Sequence, residues 1–196
     1  MYTHAHLRYA QALAHIGDAD GFFHALCQAN PIGIRSIVPT ATLRQANCYY
    51  SSSDAAFEDR YQASEEYARI RAGTIALDGG WRVYSSGAGI ALGLTLRRFL
   101  GLGCESQALR IDPVIPTALD GLRVETTLRG RPLEVRYRIG KPGTGVAALS
   151  LNEQPLPFTI EPNPHRRGAA LVPWPAVLAH LRSQHNLLKV HVGDTF

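Results

Sequence analysis

Cysteine is scarce in this chain, and long apolar runs are missing. The 196 residues contain three cysteines, Cys27, Cys48 and Cys104, an odd number without Cys-x-x-Cys spacing. This argues against a disulfide framework and against a structural zinc site, and it favours a reducing compartment. No stretch reaches the roughly 20 apolar residues that a membrane-spanning helix needs, and the N-terminus lacks a signal-peptide pattern. We therefore expect a cytoplasmic protein without a membrane partner.

Clustered positive charge is also lacking, although the chain is basic overall. The formal net charge is +4, and the only adjacent pairs of arginines are Arg97-Arg98 and Arg166-Arg167. Nucleic-acid binding needs cations gathered on one surface, so we expect no nucleic-acid partner. Hydrophobic residues make up 45% of the chain and charged residues 18%, which is typical of a folded protein with a core.

Before residue 104 the apolar residues recur at helical spacing. Leu7 begins such a pattern, and a second helix is predicted after Gly17, which can end the first helix while an aspartate caps the next. Further along, the side chains of residues 52–54, Ser-Ser-Asp, offer capping oxygens for a helix in "AAFEDRY". The stretch "SEEYARIRAG" predicts a short helix that ends at Gly73. The run 90–100 predicts another clear helix.

After residue 104 the period falls to two. Short alternating segments such as "RPLEVRYRIG" and "NLLKVHVGD" predict strands, with hairpin turns at Gly130-Arg131 and Asn152-Glu153. The segment "VPWPAVLAHLRSQ" predicts one helix between the last strands. The sequence therefore predicts a mixed α and β protein, with helices over 1–103 and an antiparallel β-sandwich over 104–196.

The stretch Ser85-Ser86-Gly87-Ala88-Gly89 stands at the start of a helix and allows two interpretations. The serines can cap the helix while the glycines permit close packing, or the free N–H groups can receive a phosphate. The stretch is not a P-loop, because no Lys-Ser or Lys-Thr follows the glycines, and its glycine spacing does not fit a dinucleotide motif. From these residues alone, both interpretations stay open.

Other polar residues favour structural roles when each is taken alone. His4 and His6 are two positions apart, so on a helix they face different ways and cannot share a metal ion. We expect no metal site. Asp54, Glu58 and Asp59 have the chemistry of acid/base carboxylates, but a charge run at a helix start is more typical of a solvated cap.

Four stretches carry a resemblance to a known family. They are "MYTHAHLRYAQALAHIGDADGFFHALCQANPIGI", "RQANCYYSSSDAAFEDRY", "GGWRVYSSGAGI" and "LRIDPVIPTALDGLRV". In this order they resemble the C-terminal part of the cellobiose phosphorylase family, glycoside hydrolase family ninety-four. The motifs "YYSSSDAAF" and "GGWRVYSSGAGI" are most similar to those of the β-1,2-glucan branch. This branch comprises the 1,2-β-oligoglucan phosphorylases and the phosphorylase-like region of cyclic β-1,2-glucan synthases.

The resemblance implies a fold and a reaction. The fold is an (α/α)6 barrel followed by a β-sandwich. The reaction is cleavage of a β-glucosidic bond by inorganic phosphate with inversion, which gives α-glucose 1-phosphate without a cofactor. Phosphate replaces the water of an inverting glycosidase, so one aspartate acts as general acid and no carboxylate base is needed. The implied ligands are phosphate and a β-glucan or glucose 1-phosphate.

The resemblance also implies roles for individual residues. His4 matches the family's phosphate-contacting histidine, and Ser86-Gly87 match its Thr/Ser-Gly pair at a helix start, which favours the phosphate interpretation of that stretch. Four further residues match positions near the donor glucose or the phosphate loop: Tyr49, Ser53, Asp54 and Arg82.

The chain departs from the family in length. Family members are several times longer, and their general-acid aspartate precedes the histidine that matches His4. The resemblance therefore implies a fragment without its own general acid, which needs a separate N-terminal half for activity. Half a barrel would leave Leu7, Phe22 and Phe23 partly facing water. The alternative is a non-catalytic carbohydrate-binding or interaction module.

Overall fold

The structure is a computed structural model, and it describes residues 3–30, 33–42, 54–78, 85–141 and 143–193. Contacts divide the chain into two compact units. The first unit comprises residues 1–11 and 24–93, and the second comprises residues 12–23 and 94–196. The predicted division between residues 103 and 104 stays a prediction.

Two helices form the N-terminal hairpin as predicted. Helix α1 covers Thr3–Ile16 and α2 covers Ala19–Ala29. Gly17 adopts a left-handed φ of +86°, and its N–H donates to the carbonyl of Leu13, which ends α1. The carboxylate of Asp18 accepts a 2.9 Å hydrogen bond from the N–H of Gly21 and so caps α2. The predicted turn chemistry is confirmed at both residues.

The apolar faces of this hairpin are better covered than expected. Leu7 and Phe22 are both fully buried, so the expectation that they face water is wrong. Phe23 is half-buried and stacks on Phe99 with ring centroids 5.5 Å apart. Other residues of the chain itself remove these side chains from water.

The rest of the first unit consists of short elements. Its three short helices are α3 Ile34–Ile37, α4 Arg60–Glu65 and α5 Ala68–Arg71. Three short strands form one sheet: β1 Ala41–Thr42, β2 Asp54–Ala55 and β3 Leu77–Asp78. The predicted cap at Asp54 is wrong, because Asp54 begins β2 and α4 starts later. Asp59 caps α4 instead, and its carboxylate accepts two 2.8 Å hydrogen bonds from the N–H groups of Tyr61 and Gln62.

The predicted helix over 90–100 is present and begins earlier. A π-helical segment, Ser85–Gly89, leads into α6, Ile90–Leu94, and a second π-helical segment, Thr95–Phe99, ends the run. π-Helical turns are rare in proteins, and those that occur are often found at functional sites.

The second unit contains two larger sheets. The four-stranded sheet has the order β10-β11-β5-β4, and the five-stranded sheet has the order β6-β7-β12-β8-β9. The strands are β4 Leu102–Cys104, β5 Ala108–Ile111, β6 Arg123–Leu128, β7 Arg131–Ile139, β8 Val146–Leu151, β9 Gln154–Pro155, β10 Thr159–Ile160, β11 Ala170–Pro173 and β12 Asn186–Val192. A short 3₁₀ turn, Thr117–Leu119, follows β5, and helix α7, Trp174–His180, separates β11 from β12 as predicted.

One hydrophobic core serves both sheets. Along β7 and β12 buried residues alternate with more exposed ones, as the period of two predicts. The cluster joins Ile111 and Val172 of the four-stranded sheet with Val135 and Val190 of the five-stranded sheet. This arrangement is compatible with a β-sandwich.

The prediction of a purely antiparallel sheet is wrong at one pair of strands. β7 and β12 are parallel, with Asn186 beside Leu133 and Val192 beside Ile139. Parallel neighbours need a long crossover, and the chain between these two strands supplies one that includes α7. The alternation of a strand fixes which face is buried but not the direction of its neighbour, so the sequence pattern did not reveal this pair.

Candidate functional site

The residues predicted to bind phosphate fall in the first compact unit. His4 lies in the first turn of α1 and is half-buried, and Gly87 is buried within the π-helical segment Ser85–Gly89. The backbone of Ser86 belongs to the same segment. The first N–H groups of a helical run have no partner within the helix, so such a segment can donate to an anion. The shared phosphate site of His4, Ser86 and Gly87 stays a prediction.

The structure describes only one of the four predicted sugar-site residues. Asp54 lies in β2, where it pairs with Asp78 of β3 in antiparallel register. Tyr49, Ser53 and Arg82 lie outside the described residues. Their predicted roles are therefore not tested.

The polar residues that were given a structural interpretation have structural contacts. The Nε2 atom of His6 lies 2.7 Å from the carbonyl oxygen of Ala25, which links α1 to α2 within the first unit. Asp59 caps α4, as described above.

Among the residues that the structure describes, no group of three or more His, Cys, Asp and Glu side chains is placed to hold a metal ion. No helix in the same residues is long and apolar enough to cross a membrane.

Sequence reasoning missed a buried ionic cluster in the second unit. The carboxylate of Asp112, only 1% exposed, accepts hydrogen bonds from three arginines. Arg166 donates to both of its oxygens, at 2.7 and 3.1 Å, and Arg98 and Arg110 donate to its Oδ2 atom at 3.1 and 3.0 Å. A buried carboxylate needs such partners, because burying an unpaired charge costs several kcal/mol.

Two arginines of this cluster, Arg166 and Arg110, have further partners. Arg166 also donates from Nε to the carbonyl oxygen of Ala14 at 3.2 Å, so the cluster ties the end of α1 to the sheets. Arg110 donates to Glu161 at 2.8 and 3.1 Å. Burial lowers the pKa of Arg110, but the hydrogen bonds and charges of Glu161 and Asp112 outweigh burial and raise it overall. Arg110 therefore stays charged.

A cavity of about 290 Å³ opens beside this cluster. We call it the arginine cavity. It is lined by His15, Arg97, Arg98, Gly103, Glu105, Arg110, Glu161, Pro162, Asn163 and Pro164. The doublet Arg97-Arg98 is visible in the sequence, but Asp112 lies far from both Glu161 and Arg166 along the chain. No local pattern could have assembled them.

A second cavity, of about 380 Å³, lies along β6, β7 and β12. Glu125 and Glu134 stand directly opposite each other on β6 and β7 and both line it, together with His185. Arg136 hydrogen-bonds to Glu134 and lowers the pKa of that carboxyl. Like charges placed opposite each other are unfavourable, and Arg136 offsets that repulsion.

No family model matches the chain. The chain is 44% identical over 172 residues to a 1,2-beta-oligoglucan phosphorylase of Listeria innocua serovar 6a. The match covers 88% of this chain and 15% of that protein. The resemblance inferred from the motifs is confirmed: over most of its length the chain is similar to a 1,2-β-oligoglucan phosphorylase, and it spans a small part of that protein.

Proposed function

We propose that the chain is the C-terminal part of an inverting carbohydrate phosphorylase that cleaves β-1,2-glucan with inorganic phosphate and releases α-glucose 1-phosphate. The observation that carries this proposal is the 44% identity over 88% of the chain to a 1,2-beta-oligoglucan phosphorylase. Chance similarity does not extend at that level over most of a chain that includes both compact units. The proposal therefore concerns the whole chain rather than one motif.

In the proposed reaction a phosphate oxygen attacks the anomeric carbon of the terminal glucose. The bond from that carbon to the glucan oxygen breaks, and the general acid protonates the leaving oxygen. Asp54, Asp59 and Asp78 do not match the sequence context of that acid, so we assign none of them to it. We expect the acid to come from another segment, in the same polypeptide or in a separate N-terminal half.

The proposed role of this chain is to hold phosphate. His4 supplies a ring N–H, and Ser86 and Gly87 supply a hydroxyl and backbone N–H groups at a helix start. Such donors fix the attacking oxygen and offset the phosphate charge, which is a task of positioning and electrostatics. Their placement in one compact unit supports the assignment. Tyr49, Ser53, Asp54 and Arg82 are proposed to lie near the donor glucose or the phosphate loop.

The proposed architecture follows from the same relationship. We propose that the helices over 1–103 complete an (α/α)6 barrel and that 104–196 forms the β-sandwich domain. The helical hairpin at the N-terminus and the two sheets with a common core support this division.

A chimera tests the proposal. The segment of the Listeria phosphorylase that matches this chain is replaced by the chain, and α-glucose 1-phosphate release from a β-1,2-glucan is measured. We expect turnover. We also expect Ser86→Ala to lower kcat/KM for phosphate by a factor that corresponds to roughly 1–3 kcal/mol of lost transition-state stabilisation, the range for a lost hydrogen bond to a charged group. The apparent affinity for glucan should change less.

Ser85→Ala is the matched control, because it removes the same hydroxyl one position earlier. It should leave the phosphate requirement close to that of the unsubstituted chimera. A folded chimera without turnover contradicts the proposed function. A Ser86→Ala variant that changes glucan affinity alone contradicts the phosphate site.

A further inference from the structure

We propose that the arginine cavity binds a small oxyanion, the phosphate or carboxylate group of a small ligand. Its lining residues belong to the second unit and are not among those expected to hold phosphate in the proposed reaction. The inference therefore goes beyond the proposed function.

The charge of the cavity favours an anion. Three arginines line it, Arg97, Arg98 and Arg110, against two carboxylates, Glu105 and Glu161. Asp112 does not cancel the excess, because it also pairs with the buried guanidinium of Arg166, which is 6% exposed. Counted together, four arginines face three carboxylates. An anion entering this cavity is attracted by the local field.

The cavity also has hydrogen-bond donors without acceptors. The side chain of Arg97 makes no hydrogen bond or ion pair with any residue that the structure describes. The side chain of Arg98 donates one hydrogen bond to the described residues, from Nη1 to Asp112, although a guanidinium carries five N–H donors. The side-chain oxygen of Asn163 accepts from the N–H of His165 at 2.9 Å, and its amide nitrogen donates to no described residue. Arginine N–H groups fit the paired oxygens of carboxylate and phosphate.

The arginines are held in place before a ligand arrives. Asp112 fixes Arg98 and Arg110, and Glu161 fixes Arg110 a second time. Pre-ordered side chains lose little conformational entropy on binding, so even a small ligand can bind measurably. The volume of about 290 Å³ lies at the lower end for ligand pockets, which suits a small anion rather than a polymer.

Calorimetric titration of the full chain tests the proposal, with inorganic phosphate in one arm and succinate in the other. All titrations use a His4→Ala background, which removes the phosphate contact of the proposed function and keeps the two tests separate. We expect binding of at least one anion with a dissociation constant of about 1 mM or lower. Binding of phosphate alone, succinate alone or both identifies which oxyanion the cavity prefers.

Adding Arg97→Ala should weaken that binding about tenfold, because one charged hydrogen-bond donor is lost. Arg35→Ala is the matched control, since Arg35 is an exposed arginine at the surface of α3 in the first unit. It should change the dissociation constant less than about twofold. Arg97→Gln is the second variant, and circular dichroism checks that each variant is folded.

Absence of binding of both anions overturns the proposal. An equal loss in Arg97→Ala and Arg35→Ala overturns it too, because the effect would then reflect net charge. Unchanged binding in folded Arg97→Gln and Arg97→Ala also contradicts it.

Discussion

At the scale of single residues, Asp112 has the largest number of charged partners among the described side chains. It joins arginines from the second π-helical segment, from β5 and from the loop before β11. Removing its charge leaves Arg166, which is nearly buried, without a counter-ion. Breaking a buried ion pair by removing one partner is strongly destabilising, in contrast to the small effect of surface pairs.

We predict that Asp112→Asn lowers the free energy of unfolding by about 3 kcal/mol, since the amide keeps the volume but loses the charge. Urea unfolding followed by circular dichroism measures the change. Asp20→Asn, at an exposed position in the first turn of α2, is the control and should change stability by less than about 0.5 kcal/mol. An equal effect of the two substitutions would show that the buried cluster contributes little.

At the scale of elements, two tight hairpins fix the register of the five-stranded sheet. In the turn between β8 and β9, Asn152 and Glu153 both have positive φ, 52° and 67°, as the predicted two-residue turn requires. In the turn between β6 and β7 the positive φ values belong to Arg129 and Gly130, at 52° and 75°. The predicted turn at Gly130-Arg131 is therefore one residue too late, and Arg131 is the first residue of β7.

We predict that Gly130→Ala lowers the free energy of unfolding by about 1 kcal/mol. A methyl group there meets no atom within 4 Å, so the cost comes from the left-handed backbone and not from a clash. The measurement is again urea unfolding.

Gly103→Ala in β4 is the matched control, because its backbone has no positive φ and the new methyl group makes ordinary contacts at 3.5 Å or more. Its stability should stay close to that of the unsubstituted chain. Equal stability of both variants would contradict a conformational cost at Gly130.

A buried amide network supports the same sheet. The side chain of Asn186 donates to the carbonyl oxygens of Pro132 and Arg182, both at 2.9 Å, and accepts from the amide of Asn152 and the N–H of Arg182. All four of its hydrogen-bonding positions are used, so its burial leaves no polar group unsatisfied. The β8–β9 turn is thereby joined to the start of β12.

At the scale of the whole molecule, the chain spans 15% of the length of the phosphorylase that it matches. In the proposed reaction we expect the general acid to come from another segment, because the aspartates of this chain do not match the sequence context that the resemblance implies for it. Bound phosphate alone does not protonate a leaving glucan oxygen efficiently, because the proton donor must be positioned at that oxygen.

We therefore predict that the purified chain of 196 residues does not phosphorolyse sophorose or longer β-1,2-glucans. The assay measures α-glucose 1-phosphate, with the chimera described above as positive control. Turnover of about 1 per second or more by the chain alone would contradict this and return Asp54 and Asp59 to consideration as acids.

The sequence by itself determined the local structure and the relationship. Helical spacing predicted α1 and α2, and Gly17 and Asp18 encode the turn between them within a few neighbouring residues. Alternation predicted β7 and β12 with their buried faces. The family resemblance rested on whole stretches of sequence, and the identity to a phosphorylase confirmed it.

Only the tertiary structure decided what depends on residues far apart in the chain. It showed that β7 and β12 are parallel and that Asp112 pairs with Arg98 and Arg166 from distant segments. Hydrophobic period and turn chemistry act over a few residues, so they leave the direction of neighbouring strands open. The pairing of a buried charge depends on packing between distant segments, and a pattern within one segment carries no record of it.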